Sequence, residues 1–283
     1  MISPILLYDS EVWGPYANHD FAEWDKIKIE QVHVQFIKRI LGCNFNTSNI
    51  MSRSECGRRP LLIDMIKRHI LYIQDIQTRK KSLVTKAWEF ELSNTISPNF
   101  TTYINKFNLN LNDISNLRKH KINETLYNIY DRFWKIELDK SPNATSFKHY
   151  KNSINFESYL SQTKSVKYRI GISRFRLSNH NLMIEKGRHL KPKLERNARK
   201  CYMCKDKIED EEHFLITCPL FSPQRKTLDN ICKENCERYT NFTTNQKFVF
   251  IMSNENVNII KALGQFVSNS LNLREQIIDY FFL

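Results

Sequence analysis

The chain has 283 residues, of which 41% are hydrophobic, and it carries a formal net charge of +13 with an isoelectric point of about 9.4. The apolar fraction is that of an ordinary globular protein and argues against wholesale disorder. The length allows one large domain or two modest ones. Seven cysteines in a chain of this length do not make a disulfide scaffold. The strong positive balance indicates a polyanionic partner, nucleic acid before a membrane surface.

Glycine and proline are sparse, and apolar residues recur at helical spacing along most of the chain. The first apolar stripe stops at Gly42, and Pro60 suits the first turn of a second helix. Strand signals are weak, so the predicted fold is mainly α, with a helical bundle-like N-terminal part. The predicted helical stripes are Ile29, Val32, Phe36, Ile37, Ile40 and Leu41; Leu62, Met65, Ile66, Ile70 and Ile73; Ile122, Leu126, Ile129 and Phe133; Val166 to Leu177; and Val257, Ile260, Leu263, Phe266, Val267 and Leu271.

The sequence predicts neither a secreted nor a membrane-inserted protein. The apolar stretch from Ile2 to Tyr8 lacks a basic start and ends at Asp9, too soon for a signal peptide. Apolar runs all fall short of the roughly 18 residues that a spanning helix needs. We therefore expect an intracellular protein, in the nucleus or the cytoplasm, with reduced cysteines and no membrane partner.

Three cysteines and a histidine have a spacing typical of a metal site, Cys201-x2-Cys204-x8-His213-x4-Cys218. A Cys-x2-Cys pair on a tight turn places two thiolates on one ion, each about 2.3 Å from it. The step from His213 to Cys218 suits a short helix that turns back toward the metal. Pro219 then prevents that helix from continuing unchanged. The pattern predicts a small CCHC zinc module near the C-terminus.

Four nitrogen and sulfur ligands fill the tetrahedral shell of zinc and leave no position for a reactive water. The predicted cofactor is therefore one structural Zn²⁺, preferred to an iron–sulfur cluster because one imidazole joins three thiolates. The acidic residues ahead of His213 suit a helix N-terminus near Asp210, where the helix dipole favours negative charge. Two alternatives stay open. In the first, the four residues are unrelated and the cysteines are buried as small hydrophobes. In the second, Cys232 and Cys236 compete as zinc ligands instead of forming a core face.

The segment from Lys164 to Lys200, called the basic segment below, holds most of the excess positive charge, and only Glu185 and Glu195 oppose it. Phosphate backbones favour such a surface through counterion release, and the interleaved Tyr168, Phe175 and His180 are placed to stack on unpaired bases. The alternative is a solvated helix face with scattered charge. We expect contacts to RNA or single-stranded DNA from Lys167, Arg169, Arg174, Arg176, Arg188, Arg196, Arg199 and Lys200.

Several motifs resemble the C-terminal region of LINE-type, non-LTR retrotransposon reverse transcriptases. The zinc stretch from Cys201-Tyr-Met-Cys204 through Ile208-Glu-Asp-Glu-Glu-His213 to Cys218-Pro-Leu-Phe221 resembles their zinc-binding region. The preceding Ile172-Ser-Arg-Phe-Arg-Leu-Ser-Asn-His180 and Glu185-Lys-Gly-Arg188 resemble its basic lead-in. At the other end, Pro4-Ile-Leu-Leu-Tyr8, Glu11-Val-Trp-Gly14, Phe36-Ile-Lys-Arg-Ile-Leu-Gly42, Glu55-Cys-Gly-Arg58 and Pro60-Leu61 resemble the segment that follows the polymerase thumb.

The resemblance implies a tail detached from its polymerase, which in the family assists binding of template RNA during target-primed reverse transcription. The sequence as a whole divides into four predicted segments: 1–104, helical and similar to the post-thumb segment; 105–160, a helical connector whose polar, Asn-rich stretch 105–116 is the candidate loose connection; 161–240, the basic segment with the CCHC module; and 241–283, a C-terminal helix. A reverse transcriptase domain acting in trans is the partner protein that this resemblance suggests.

Polymerisation needs paired carboxylates that hold two metal ions. The sequence has no adjacent aspartates, and neither an endonuclease constellation nor a Ser/His/Asp set stands out. We therefore expect no enzyme activity from this chain alone. The favoured hypothesis is a zinc-stabilised, noncatalytic nucleic-acid-binding module, and the alternative is a helical module that docks on a separate polymerase or host factor.

Overall fold

The structure is a computed structural model that describes residues 3–14, 20–79, 82–93 and 118–282. The helices in these ranges are α1 (Ser3–Leu6), α2 (Ser10–Trp13), α3 (Phe21–Trp24), α4 (Lys28–Leu41), α5 (Asn49–Glu55), α6 (Leu61–Thr78), α7 (Leu83–Ser93), α8 (Lys119–Lys140), α9 (Ser158–Gln162), α10 (Val166–Arg176), α11 (Met183–His189), α12 (Ser222–Asn235), α13 (Thr244–Met252) and α14 (Val257–Phe282). Short 3₁₀ turns and one π-helical turn, His213–Thr217, connect some of them.

The prediction of a mainly α fold is confirmed. Over the described ranges the only β-type pairings are two isolated bridges, between Cys56 and Phe156 and between Lys200 and Ile208. Among the helices in those ranges, none combines the length and apolar character that crossing a bilayer requires.

Packing divides the chain into two compact units, Met1–Phe36 with Arg59–Glu137 and Ile37–Arg58 with Leu138–Leu283. The predicted stretch 105–116 lies outside the described residues. The four predicted segments, which followed motifs and not packing, stay predictions.

Helix α6 forms the core of the first unit. The predicted stripe on this helix is confirmed, since Leu62, Met65, Ile66, Ile70 and Ile73 are all buried. The helix begins directly after Pro60, where the fixed φ of proline favours a helix start.

The buried carboxylate of Glu30 fixes the start of α6. Glu30 Oε2 accepts hydrogen bonds from the backbone N–H of Leu61 and from Trp24 Nε1, both at 2.8 Å. These bonds satisfy a charge that would otherwise be costly to bury. Glu30 Oε1 also lies 3.3 Å from His33 Nδ1, and His33 is the satisfied core-edge histidine that a stripe position favours.

The predicted stripe on α4 is wrong in part. Ile37 and Leu41 are buried, but Val32, Phe36 and Ile40 are 46%, 41% and 48% exposed. These three residues recur every four positions on one face of the helix. The buried side of the helix is rotated away from them and carries both apolar and polar residues: Glu30, His33, Val34, Ile37 and Leu41. The buried face of α4 therefore includes hydrogen-bonded polar side chains that an apolar pattern does not count.

The predicted end of α4 at Gly42 is confirmed. Gly42 has a φ of 67°, its N–H donates to the carbonyl of Arg39 at 3.1 Å, and the N–H of Cys43 donates to the carbonyl of Lys38 at 2.9 Å. This pair of bonds is a Schellman motif, which glycine adopts without the steric penalty of a side chain. A Cβ at Gly42 would also lie 2.8 Å from Ile170, so the turn lies close against α10.

The second unit is built around the pairing of α10 with α14. Both helices were predicted, and on α14 the apolar residues Ile260, Leu263, Phe266 and Val267 are buried as expected, whereas Val257 is exposed. A Cβ at Gly264 would lie 2.7 Å from the Cβ of Tyr168. Glycine at this position therefore allows the two helix backbones to approach closely.

A buried ionic network joins distant parts of the second unit. Arg176 Nε lies 2.9 Å from Glu55 Oε2, and Arg176 Nη2 lies 2.9 Å from Glu157 Oε2. Arg176 Nη1 also donates to the carbonyl of Met252, and the Tyr159 hydroxyl donates to Glu55 Oε2 at 2.7 Å. Burial acts to lower the pKa of Arg176, but the surrounding carboxylates keep it above its usual value, so Arg176 stays positively charged.

Candidate metal centre

The first two candidate ligands lie on a short loop closed by backbone hydrogen bonds. The N–H of Cys201 donates to the carbonyl of Lys207, and the N–H of Lys205 donates to the carbonyl of Cys201, both at 2.9 Å. Lys205 has a φ of 58°, which lets the chain reverse immediately after Cys204. The Cys-x2-Cys spacing thus produces the tight turn that two thiolates on one ion require.

The other two candidate ligands are placed by the π-helical turn. Asp210 Oδ1 accepts the backbone N–H of His213 at 2.9 Å, so Asp210 caps the turn at the helix start that the sequence predicted. The N–H of Cys218 then donates to the carbonyl of His213 at 2.8 Å, an i to i+5 bond. In a regular α-helix, residues five apart would point about 140° from each other. The wider π turn brings His213 and Cys218 to the same side.

The four ligand atoms form one compact cluster. Single ligand atoms of Cys201, Cys204, His213 and Cys218 all lie within 4.8 Å of one another. Cys218 Sγ lies 4.0 Å from Cys201 Sγ and 3.8 Å from Cys204 Sγ. A tetrahedral ion with sulfur ligands at 2.3 Å would require sulfur–sulfur separations of about 3.8 Å. The cluster therefore has dimensions at which it can hold a metal ion.

The histidine is oriented for ligation through Nε2. His213 Nδ1 lies 2.9 Å from the Thr217 hydroxyl, whereas Nε2 lies 3.1 Å from Cys204 Sγ. A hydrogen bond from Nδ1 to Thr217 would leave the lone pair on Nε2 for a metal, as second-shell partners of metal-bound histidines do. The 3.1 Å contact is shorter than the roughly 3.6 Å edge of a tetrahedral site, so these two groups must separate slightly around an ion.

Arg225 on α12 braces the end of the π turn. Its guanidinium is buried and donates to the carbonyls of Leu215 at 2.6 Å and Cys218 at 2.9 Å. The Cys218 carbonyl also accepts the backbone N–H of Phe221 at 3.3 Å, so Arg225 joins the end of the π turn to the 3₁₀ turn that follows it. The cation also lies close to Cys218, where it favours a thiolate. The sequence pattern did not reveal this arginine, because a buried arginine has no periodic signal.

The thiols share their protons unequally. The hydrogen bond with Cys218 lowers the pKa of Cys201, and the same bond raises the pKa of Cys218. Burial raises the pKa of Cys204. The hydrogen-bonded pair of Cys201 and Cys218 thus favours one thiolate that can bind a cation, and the remaining thiol protons leave as the ion binds.

Cys232 and Cys236 take no part in this cluster of described residues. Cys232 is fully buried on α12, and burial raises its pKa to about 12. It behaves as a small core hydrophobe, as the sequence favoured, and not as a competing ligand.

Two acidic residues of the segment 201–218, called the metal loop below, bind side chains and backbone of neighbouring elements. Both oxygens of Glu209 pair with Arg274 of α14 at 2.7 and 2.6 Å, and Glu209 Oε2 also accepts the backbone N–H of Met183 at 2.7 Å. Glu211 Oε2 accepts the Ser146 hydroxyl at 2.7 Å, and Oε1 lies 3.0 Å from His180 Nε2. Burial would raise the pKa of Glu211, but these partners lower it to about 2. The acidic run thus connects the candidate metal centre to α11 and α14.

The structure divides the basic segment into exposed and buried cations. Lys167, Arg174, Arg196 and Lys200 are exposed, and Arg169 and Arg188 are intermediate. Arg188 also pairs with Glu185 at 3.3 Å. The prediction for two residues needs correction. Arg176 and Arg199 are 2% and 6% exposed, and neither side chain is presented to a phosphate.

The physical reason is local pairing. Arg176 lies in the buried ionic network, and Arg199 donates to the carbonyls of Leu194 and Ile184. Two of the three predicted stacking groups are also unavailable to bases, one through burial and one through pairing. Phe175 is 1% exposed in the aromatic core, and the His180 ring is held by Glu211. Tyr168 is partly exposed, and its Cβ packs against Gly264.

Comparison of the chain with family models, with curated proteins and with solved structures finds no match. The similarity to reverse transcriptase tails therefore rests on the motifs quoted above. The candidate metal centre rests independently on the distances between its side chains.

Proposed function

We propose that the chain is a zinc-stabilised module that binds RNA or single-stranded DNA and has no catalytic activity of its own. The observation that carries this proposal is the Cys3His cluster, whose loop begins directly where the basic segment ends. Three thiolates and one imidazole are the donors that structural zinc prefers, and four such ligands leave no site for an activated water.

The exposed cations support a polyanionic partner. Lys164, Lys167, Arg174, Lys186, Lys191, Lys193, Arg196 and Lys200 are all exposed within the basic segment. Neutralising phosphates with several such cations releases counterions and gives affinity without sequence specificity. Arg176 and Arg199 act instead as internal supports of the same unit.

We further propose that the chain derives from the C-terminal region of a non-LTR retrotransposon reverse transcriptase. Support comes from the motifs around the zinc ligands and in the N-terminal part of the sequence. A reverse transcriptase domain supplied in trans would then perform the chemistry, and this chain would hold template RNA.

One purified sample can test the proposal. Metal analysis of the freshly purified full-length chain should give one zinc per molecule, and the logarithm of its binding constant for a labelled RNA should fall linearly with the logarithm of salt concentration. Chelation that removes the zinc should lower the melting temperature. Zinc near zero together with salt-independent binding would contradict both parts.

A second candidate function, docking on a separate polymerase or host factor, is favoured by the exposed face of α4. Val32, Phe36 and Ile40 present apolar surface there, and such surfaces often mark protein interfaces. The salt series separates the two functions, because a docking module predicts little RNA binding. The substitution Phe36→Ser should leave RNA affinity unchanged under the first function.

A further inference from the structure

An open cleft of about 1030 Å³ lies within the second unit, between α10, α11, α14 and the turn that follows α4. Its size is at the upper end for pockets that hold a small ligand. The cleft is lined mainly by polar side chains, and none of the four candidate metal ligands reaches it. It is therefore a separate place at which a partner can bind.

Cations lie on two walls of the cleft. Lys167 and Arg174 come from α10, and Lys186 comes from α11. All three residues are exposed, so their charges remain hydrated and available. Arg174 Nε donates to the carbonyl of Gly42 at 2.7 Å, which holds this side chain in place at the rim. Guanidinium and ammonium groups spread along a groove suit a chain of phosphates.

Carboxamides form much of the remaining lining: Asn44, Asn46, Asn143, Asn179, Asn181 and Asn272. Each side-chain amide offers both donors and an acceptor. The edges of unpaired bases offer complementary groups, whereas base pairing already uses those edges in a duplex. The shape agrees, because duplex DNA is read by protein elements that enter its major groove. A concave site instead admits a strand.

Two carboxylates in the cleft oppose phosphate binding, and the structure treats them differently. Glu185 is largely buried and pairs with Arg188, so its charge is compensated. Glu275 is exposed and accepts a hydrogen bond from Asn181 at 3.0 Å. Its charge weakens the local positive field, and removing that charge provides a test of opposite sign.

We propose that this cleft binds a short unpaired stretch of nucleic acid, with phosphates on Lys167, Arg174 and Lys186 and base edges on the asparagines. This inference rests on the proposed function, since it locates the binding site of the same module. It adds that the exposed cations are unequal. Those in the cleft bind the strand, while the remainder contribute only general charge.

Two matched double variants of the full chain test the proposal. Lys167→Glu with Lys186→Glu reverses two cleft cations, and Lys164→Glu with Lys193→Glu reverses two exposed cations outside the cleft. Both variants change the net charge equally. Binding of a labelled 12-nucleotide RNA and of a duplex of the same sequence is measured across a salt series. Circular dichroism and zinc content establish that both variants fold.

The cleft variant should lose about tenfold or more in affinity for the single strand, and its salt slope should fall by about 1.4 for two lost phosphate contacts. The matched variant should stay within about threefold of the parent. Glu275→Gln should tighten binding, and Asn272→Ala should weaken it without changing the salt slope, because an amide releases no counterion.

Equal losses in the two double variants would overturn the cleft while leaving the proposed function standing. Duplex binding as tight as single-strand binding would likewise overturn the preference for an unpaired strand. If the parent chain binds neither RNA at low salt, the proposed function itself fails.

Discussion

The metal loop, residues 201–218, and the basic segment adjoin in sequence but follow different rules. In the metal loop every residue singled out from spacing reaches the same cluster, whose ligand atoms lie within 4.8 Å of one another. In the basic segment, residues of one chemical type have opposite fates, since Arg174 is exposed and Arg176 is buried. Spacing inside a short loop directly restricts where the side chains can lie. Charge along a helix does not determine which side chains are exposed, because one residue of a helix can face solvent while another faces the core.

The largest effect that would sharpen this comparison is loss of the metal. Cys204→Ser removes a thiolate from the cluster, so the chain should purify with much less than one zinc and melt at a markedly lower temperature. Cys232→Ser is the matched control, because Cys232 is buried outside the cluster. Metal analysis and thermal unfolding measure both effects. Full zinc occupancy in Cys204→Ser would show that Cys204 is not a ligand and that the prediction from spacing was wrong even within the metal loop.

The next largest effect concerns Arg176. Arg176→Met removes one partner of a buried ion pair and leaves Glu55 and Glu157 without their shared cation. Such a change typically costs about 3–5 kcal/mol of unfolding free energy. Lys167→Met, on the same helix but exposed, should cost less than about 0.5 kcal/mol. Urea unfolding distinguishes the two variants, and equal costs would contradict the division into buried and exposed cations.

A smaller effect tests the connection between the two regions. Glu211→Gln removes the charge that faces His180 and Ser146, and hydrogen bonds to a charged group are worth about 1.5–3 kcal/mol. We expect a stability loss in that range with zinc content retained. Amide hydrogen exchange should increase around residues 178–183, which the carboxylate and its neighbour Glu209 hold. Unchanged exchange there would mean that the metal loop does not support the cleft wall.

The sequence predicted local features better than polar tertiary contacts. The end of α4 at Gly42, the start of α6 after Pro60 and the helix from Val166 were predicted closely, because caps and periodicity act over a few residues. The buried face of α4 was predicted less well, because it includes Glu30, whose carboxylate accepts a hydrogen bond from the backbone of Leu61, 31 positions away.

The candidate site shows the same limit. The four ligands and the Asp210 cap were predicted from spacing, as their contacts span fewer than twenty residues. Arg225, and the pairing of Glu209 with Arg274 across 65 positions, were not predicted. The amide-lined cleft was missed as well, because its asparagines come from several separated helices and turns.

The pairing of Arg176 with Glu55 spans 121 positions of the sequence. A fragment that holds only the basic segment and the metal loop, starting near residue 161, would lack both Glu55 and Glu157. The resulting fragment would keep every proposed zinc ligand yet carry an uncompensated buried guanidinium. The smallest piece worth purifying for binding work therefore includes residues 37–58 along with 138–283, joined by the intervening chain or by a linker that replaces it.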